Sequence, residues 1–254
     1  MTQLVDGKCT VNNHAHIIEG TALATRKWFY YYFMHRDIFS YLSRQGAGRY
    51  KLNKASLEKI YLLIPPLAEQ QKIAQILSTW DKAIAVTEQL LANSQQQKKA
   101  LMQQLLTGKK RLLEENGARF EGEWEEFSLG NIAKVYQPKT ISQSQLSFDG
   151  YPVYGANGKI GFYDKYTHEF PTVLITCRGA TCGTINISEP KSYVNGNAMA
   201  LDNLSENYSL KYLYYILIAR GLNDVVSGSA QPQITRENLS KVKIQNPPLE
   251  TQQK

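Results

Sequence analysis

An unbroken alternation of four- and three-residue steps between apolar positions constrains this chain more than any other feature. Between residues 67 and 107 the steps fall on Ile73, Leu77, Trp80, Ile84, Thr87, Leu91, Ser94, Lys98, Leu101 and Leu105. That spacing is a 3.5-residue period, the seam of a coiled coil. Pro65-Pro66 marks the start, because proline suits the first turn of a helix and cannot sit deep inside one. Thr107-Gly108 followed by Lys109-Lys110-Arg111 marks the end, with glycine and cations where a helix C-terminus favours them. About forty residues at ~1.5 Å each make a rod of roughly 60 Å. A helix packed on its own globular domain is the ordinary alternative, but it would be shorter and would repeat at 3.6 residues. The seam weakens at Thr87, Ser94 and Lys98 and is apolar at Ile73, Leu77, Trp80, Ile84, Leu91, Leu101 and Leu105. A rod of this kind needs a partner helix to cover its stripe.

The remaining length bounds what the rod can connect. The chain has 254 residues, enough for one large domain or two smaller ones, and its 43% hydrophobic content supports real cores. The excess of 29 basic over 22 acidic residues, a net charge of +7, suits a nucleic-acid binder without requiring one. Sixteen tyrosines favour strands and polar recognition surfaces. Cys9, Cys177 and Cys182 make no even disulfide framework, and no second Cys/His pair follows at zinc spacing, so no metal site is expected. His14 and His16 alternate and would share one face of a strand. With no signal peptide and no run of 18 apolar residues in the sequence, a soluble, cytoplasmic chain with reduced cysteines is expected.

The segment ending at Lys72 is echoed by the segment ending at Lys254. At one offset, Tyr30 and Tyr32 match Tyr212 and Tyr214, Gly46 matches Gly228, Leu57 matches Leu239, and Lys59 matches Lys241. Pro65-Pro66-Leu67 matches Pro247-Pro248-Leu249, and Gln70-Gln71-Lys72 matches Gln252-Gln253-Lys254. With one residue of slippage, Val11-Asn12 and Ala15 match Val194-Asn195 and Ala198. The shared order is an aromatic helix, a Gly/Ser loop, a short strand, then Pro-Pro. About eighty residues, 109–190, precede the second copy and have no counterpart ahead of the first. The expected organisation is the back part of a domain over 1–66, the helix over 67–108, a whole domain over 109–248, and the start of a twin helix over 249–254.

Within the whole domain, short β-prone pieces alternate with glycine-rich turns. Residues 124–130 enter a strand, 149–162 form punctuated short strands, 172–176 is an apolar strand, and 184–187 returns beside it. Residues 208–220 read as a helix, 227–233 as a loop, and 239–244 as an alternating strand. The fold class is α+β, a mixed α/β domain dominated by strands and exposed loops.

No Ser/His/Asp, Cys/His or paired-carboxylate spacing offers a catalytic constellation. Asn246-Pro247-Pro248-Leu249 is close to the Asp/Asn-Pro-Pro-aromatic motif of adenine methyltransferases, but its fourth residue is leucine. The first copy, Ile64-Pro65-Pro66-Leu67, lacks the polar residue, and no glycine-rich cofactor loop follows a strand. Pro-Pro is therefore read as a helix starter. The candidates for polar recognition are loop residues. Arg178 sits in a small-residue turn, Asn157 and Lys159 in Gly155-Ala156-Asn157-Gly158-Lys159, and Gln231 in Gln231-Pro232-Gln233. Arginine can fork onto guanine O6 and N7, and asparagine or glutamine onto an adenine edge. Each of these residues is also an ordinary turn or solvated loop residue. Lys139, Lys165 and Arg236 are the candidates for phosphate contact. In the first copy, Arg49 stands at the position of Gln231 and Lys51 at that of Gln233, a difference that suits either two readers of different sequences or neutral loop drift.

Four stretches together resemble the specificity (S) subunit of type I restriction-modification systems. They are Tyr151-Pro152-Val153-Tyr154-Gly155-Ala156-Asn157-Gly158, Leu174-Ile175-Thr176-Cys177-Arg178-Gly179-Ala180, Tyr193-Val194-Asn195-Gly196-Asn197-Ala198, and the Pro-Pro-Leu helix start with Glu69-Gln70-Gln71-Lys72-Ile73. The resemblance implies target recognition domains that read the halves of a split site in double-stranded DNA. It also implies spacer helices that pair and dock the modification subunits. Further implications are no catalysis in this chain, and S-adenosylmethionine, ATP and Mg on the modification and restriction subunits only. The sequence departs from that pattern by lacking the front of a first recognition domain and nearly all of a second helix. A homodimer through the spacer helix would restore two-fold symmetry. Two rivals remain open. One is a regulatory protein that acts through the coiled coil. The other is the recognition part of a fused DNA methyltransferase.

Overall fold

The computed structural model of the chain describes residues 2–12, 14–46, 48–114, 116–155, 158–228 and 230–253. It separates into two units, Met1–Ser94 and Gln95–Lys254, with the division falling inside the long helix.

In the first unit, among the described residues, no helix or strand precedes Thr25, whose hydroxyl accepts the Trp28 N–H and caps helix α1, Arg26–His35. A short antiparallel hairpin follows, β1 (Ser43–Gln45) and β2 (Arg49–Lys51). Asn53 caps helix α2, Lys54–Glu58, by accepting the Ser56 N–H. Helix α3, Leu67–Leu105, starts directly after Pro65-Pro66, and the Pro66 carbonyl accepts the N–H groups of Glu69 and Gln70. The helix ends two residues before the sequence expectation. Gly108 adopts φ +69° and the Lys110 N–H caps the Gln104 carbonyl, so the last turn closes before Thr107 joins the helix.

The helix is clamped at its start. The Gln70 side chain is fully buried; its amide nitrogen donates to the carbonyls of Leu23 (2.7 Å) and Pro65 (2.8 Å), and its oxygen accepts the Thr25 N–H (3.0 Å). Tyr31 on α1 donates to Asp81 at 2.7 Å. From there the helix is bare: every residue from Thr79 to Leu101 is exposed, including seam residues Trp80 (66%), Ile84 (55%) and Leu91 (58%). Ile76, Val86 and Leu90 widen the exposed apolar surface. At its other end the helix belongs to the second unit. Lys98 lies over the Tyr215 ring, Leu105 is half-buried, and Leu106 packs on the core.

The second unit opens with β3 (Glu125–Ser128), α4 (Leu129–Ile132) and β4 (Lys134–Tyr136). The strands β5 (Tyr151–Gly155), β6 (Gly158–Tyr163), β7 (Val173–Thr176), β8 (Ile185–Ile187), β9 (Tyr193–Val194) and β10 (Ala198–Asp202) follow. Helices α5 (Leu210–Arg220) and α6 (Arg236–Ser240), strand β11 (Lys243–Asn246) and helix α7 (Leu249–Gln253) complete it. An antiparallel sheet runs β4-β10-β7-β8; β6-β5-β9 form a second sheet in which β5 and β9 are parallel; β11 pairs with β3. Both faces of the central sheet are buried, so its strands alternate between two cores. Val173, Ile175, Met199 and Leu201 face α5 residues Leu213 and Leu217 in one core, while Leu174, Ala198 and Ala200 meet Tyr154 and Val194 in the other. The expected strand over 239–244 is instead the end of α6 and the start of β11. Thr235 accepts the Asn238 N–H and nucleates a helical turn that carries Leu239 into the core.

The structure explains the sequence repeat and corrects its register. Gln252 repeats the Gln70 clamp: its amide donates to the carbonyls of Asn207 and Pro247, and its oxygen accepts the Ser209 N–H. Ser209 caps α5 as Thr25 caps α1, so these cap residues correspond, and the tyrosine matches in the two helices shift by two positions. The slip arises in the hairpin. Ser43 Oγ donates to the carbonyl of Lys51, eight residues on, whereas Ser227 Oγ donates to that of Gln233, six residues on.

Candidate nucleic-acid interface

The C-terminal end of β7 gathers most of the polar loop residues singled out by sequence. Beyond Thr176 the chain turns at Gly179 (φ +89°), and the segment 231–234 lies alongside. Arg178 and Gln233 form a β-bridge, the Gly179 N–H donates to the Pro232 carbonyl (3.0 Å), and the Ile234 N–H donates to the Cys177 carbonyl (3.0 Å). Arg178 and Gln231 are thereby held on neighbouring backbone segments with their side chains exposed. Two positive-φ glycines permit this: Gly179, and Gly228, where a Cβ would meet the Gln231 carbonyl at 2.5 Å. Thr235 then caps α6 and places exposed Arg236 in its first turn. Burial pushes the Cys177 thiol up, opposed by the charge of Arg178, so this cysteine is a core residue rather than a nucleophile.

Lys139 reaches the same end of the sheet on a strap, residues 137–141. The Gln137 amide donates to the Gly196 carbonyl (2.9 Å), Tyr193 donates to the Lys139 carbonyl (3.3 Å), and buried Asn195 exchanges two hydrogen bonds with the backbone of Ile141. Gly196 makes this approach feasible. A Cβ there would lie 2.8 Å from the Pro138 carbonyl and closer still to the Thr140 hydroxyl. Gly196→Ala is expected to lift the strap and cost about 1–3 kcal/mol, as overpacking does; a urea denaturation midpoint unchanged from the parent would remove the strap from this account. Gln137, in the polar segment 136–140, and Asn197 are both exposed at this end and add side-chain amides that were not among the candidate contact residues. Only the cross-strand registers of β4, β10 and β7 bring them there.

The structure separates two other candidates from this group. The Lys159 amine lies 3.5 Å from the Glu189 carboxylate and over the Phe162 ring, beyond the far end of β8, so part of its charge is already answered. The Glu189 carboxylate also accepts the Tyr154 hydroxyl, and burial raises that phenol. Lys165 is exposed on the loop after β6, in the segment that leads to His168. His168 bonds Asp202 at the end of β10 (3.0 Å) and the Thr167 hydroxyl (2.8 Å), an arrangement that spacing alone did not suggest. Asn157 lies outside the described residues. Among the described residues no cluster of three His, Cys, Asp or Glu side chains is placed to hold a metal, and no helix is long and apolar enough to cross a membrane.

A strand-framed end that displays an arginine, a lysine and several amides suits contact with a large polar surface. Comparison with known proteins gives that surface a context. The family model described as the type I restriction modification DNA specificity domain matches residues 2–93 and 121–254. The chain belongs to this family.

Two curated members illustrate the likeness. A type I restriction enzyme specificity subunit of Haemophilus influenzae is 27% identical over 278 aligned positions, covering 97% of this chain and 66% of that protein. The Escherichia coli EcoprrI specificity subunit is 28% identical, covering 73% of this chain and 46% of that protein. The chain thus spans from about half to about two thirds of the length of these specificity subunits. The solved S subunit of the type I restriction-modification system from M. genitalium superposes with a TM-score of 0.64 at 17% identity, over 89% of this chain and 63% of that one. That likeness is one of fold: a mixed α/β specificity-family architecture with short strands and one long helix. The two matched segments of the family model fall on either side of residues 94–120, in keeping with the internal repeat.

Proposed function

We propose that the chain is a sequence-reading component of a type I restriction-modification assembly. In this reading the second unit contacts one half of a split site in double-stranded DNA through the end of β7. The observation that carries it, in a chain of this family, is the bridge that holds the Arg178 turn against Gln231 and Gln233. Arg178 then offers its fork to a guanine edge and Gln231 its amide to an adenine edge, while Lys139 and Arg236 neutralise phosphates. Lys165 and Asn157 are proposed as peripheral contacts, and Lys159 as a contact once it leaves Glu189. Affinity would be strongly salt-dependent because released counterions drive it.

Catalysis is assigned to partners in this proposal. Modification subunits would dock on the long helix and supply methyl transfer from S-adenosylmethionine. A restriction subunit would supply ATP- and Mg-dependent cleavage. The bare stretch of α3 would pair with another helix, most simply that of a second copy of the chain.

Arg178→Ala is expected to reduce discrimination at one base pair by ~1–3 kcal/mol while binding to non-target duplex changes little. Methylation-protection patterns with the modification subunits would reveal this as a relaxed preference at a single position, and an unchanged preference would remove Arg178 from the reading surface. Binding to modification subunits with no affinity for any duplex would instead favour a regulatory protein acting through its helix.

A further inference from the structure

The last strand of the second unit is paired, and the matching segment of the first is not. Beyond the hairpins the two copies keep one register. Asn53 caps α2 as Thr235 caps α6, and the Ile60 N–H donates to the Leu57 carbonyl (3.1 Å) as the Val242 N–H donates to that of Leu239 (3.1 Å). Residues 60–64 therefore stand where 242–246 stand, directly ahead of Pro-Pro. In the second unit β11 lies antiparallel to β3, with Lys243 opposite Ser128, Ile244 opposite Phe127 and Gln245 opposite Glu126. The Leu129 N–H donates to the Val242 carbonyl (2.8 Å), while the carbonyls of Lys243 and Gln245 accept Arg220 and Tyr212 from α5 (3.1 and 2.8 Å). Backbone groups alternate sides along a strand, so Val242, Ile244 and Asn246 face β3. In the first unit the Tyr61 carbonyl likewise accepts the Tyr32 hydroxyl from α1 (3.2 Å), which turns Ile60, Leu62 and Ile64 to the other side. Among the described residues no strand lies there, and the N–H groups of Leu62 and Ile64 and the carbonyls of Ile60, Leu62 and Ile64 enter no hydrogen bond.

Tyr61 (87% exposed) and Leu63 (82%) stand where β11 has Lys243 and Gln245, and Ile64 is exposed as well. Leu62, the counterpart of buried Ile244, is only half-buried. A row of unpaired backbone groups beside apolar side chains is a template for a further strand. We propose that residues 60–64 are an acceptor edge for an extended segment of another polypeptide, which adds antiparallel to them as β3 adds to β11. Within this chain the strand of that role, β3, is already taken by β11. The arriving segment needs different chemistry from β3. Glu126 and Ser128 suit Lys243, whose amine reaches the Glu126 carboxylate (2.8 Å), and neither suits Tyr61 or Leu63. The segment that fits is apolar at those two positions and at the position of Phe127, which makes it an uncharged, β-prone run. Main-chain bonds supply the affinity in such a pairing, and alternate side chains supply the selectivity. This edge takes no part in the DNA contacts proposed above, which lie on the second unit.

A fluorescein-labelled peptide copying residues 123–130 with Glu126→Val and Ser128→Val, titrated with the full chain, tests this by anisotropy. Saturable binding is expected, about tenfold tighter than that of the unaltered peptide. Ile64→Pro removes an N–H that has no partner among the described residues and should weaken the binding about tenfold. Tyr61→Ser combined with Leu63→Ser should weaken it similarly while leaving thermal melting unchanged, since both side chains are exposed. That pair keeps the test open if Ile64→Pro fails to fold. Hydrogen exchange locates the site: bound peptide should slow exchange at the Leu62 and Ile64 amides and leave those of Ile244 and Asn246 unchanged. An altered peptide that never saturates would overturn the proposal, as would binding that survives the substitutions at 61, 63 and 64 or protection confined to β11. Chains that associate without peptide, in a manner lost in Ile64→Pro, would assign the edge to a second copy and equally overturn it.

Discussion

Gln70→Ala is expected to destabilise the first unit by about 3 kcal/mol, because it strips three partners from one buried amide. The side chain has no exposed surface and satisfies the Leu23 and Pro65 carbonyls and the Thr25 N–H together. Each buried group left without a partner costs ~1–3 kcal/mol, reduced where water can enter the space vacated. The unit has little to offset this. Among the described residues its buried apolar side chains are Ala24, Tyr31, Ile60 and Ala74, against a core of twenty in the main cluster of the second unit. Gln252→Ala removes the equivalent bonds from the larger unit, so a similar loss should leave that unit folded at temperatures where the first has melted. Gln70→Glu separates the contributions: it keeps an acceptor for Thr25 but loses both donated bonds. Hydrogen exchange at the Thr25 amide, followed with chemical denaturation, reads the clamp directly. A denaturation midpoint for Gln70→Ala within experimental error of the parent would show that the clamp is ornamental.

This clamp also shows what could be read from the sequence. The repeated Gln-Gln-Lys after Pro-Pro-Leu was visible as a pattern, and the proline start of α3 followed from helix chemistry alone. The partners of the first glutamine were not visible, because Leu23 and Thr25 lie more than forty residues away along the chain. Strands built from consecutive apolar residues, such as Val173–Thr176, announced themselves. The parallel pairing of β5 with β9 did not, since Tyr193–Val194 is two residues long and is defined by its neighbours rather than by its own pattern. At 239–244, alternation suggested one strand while the Thr235 cap had already committed the first residues to a helix.

The candidate interface was legible to a similar degree. Turn glycines and the residues beside them marked Arg178 and Gln231, and the fold brought them together through backbone bonds that no local pattern encodes. Lys159 was equally conspicuous in sequence, yet the structure gives it Glu189 from thirty residues away. Gln137 and Asn197 lie in a polar segment and an Asn-Gly turn that the sequence marks, but each takes its place at this end from the strand next to it. The tyrosine matches and the helix caps differ in register for a related reason. The eye aligns aromatic residues, whereas the fold aligns caps and clamps, and the hairpin absorbs the two-residue difference.

The largest expected effect concerns the bare stretch of α3. If its seam pairs with the helix of a second copy, Ile84→Asp combined with Leu91→Asp should weaken association by a thousandfold or more. Burying an isoleucine or leucine side chain contributes ~1.5–3 kcal/mol. A symmetric pair buries both residues from both copies, and each 1.4 kcal/mol is about tenfold in affinity. The two positions are chosen because they are 55% and 58% exposed. Their replacement therefore removes nothing from the packing of the single chain beyond a few tenths of a kcal/mol of helix propensity per residue. That separates a pairing surface from a structural one: the melting of each unit should be unchanged while sedimentation shifts from dimer to monomer. The polar seam positions Thr87 and Ser94 lie between apolar blocks, so Thr87→Leu should tighten the pairing if the two seams meet there, since it exchanges a hydroxyl already bonded to the Ala83 carbonyl for packing surface. Lys98 is a different case, because its amine lies over Tyr215 within the second unit, and Lys98→Leu should leave the association nearly unchanged. A parent chain that sediments as a monomer across micromolar concentrations would sink the pairing proposal, as would a double aspartate variant that still associates.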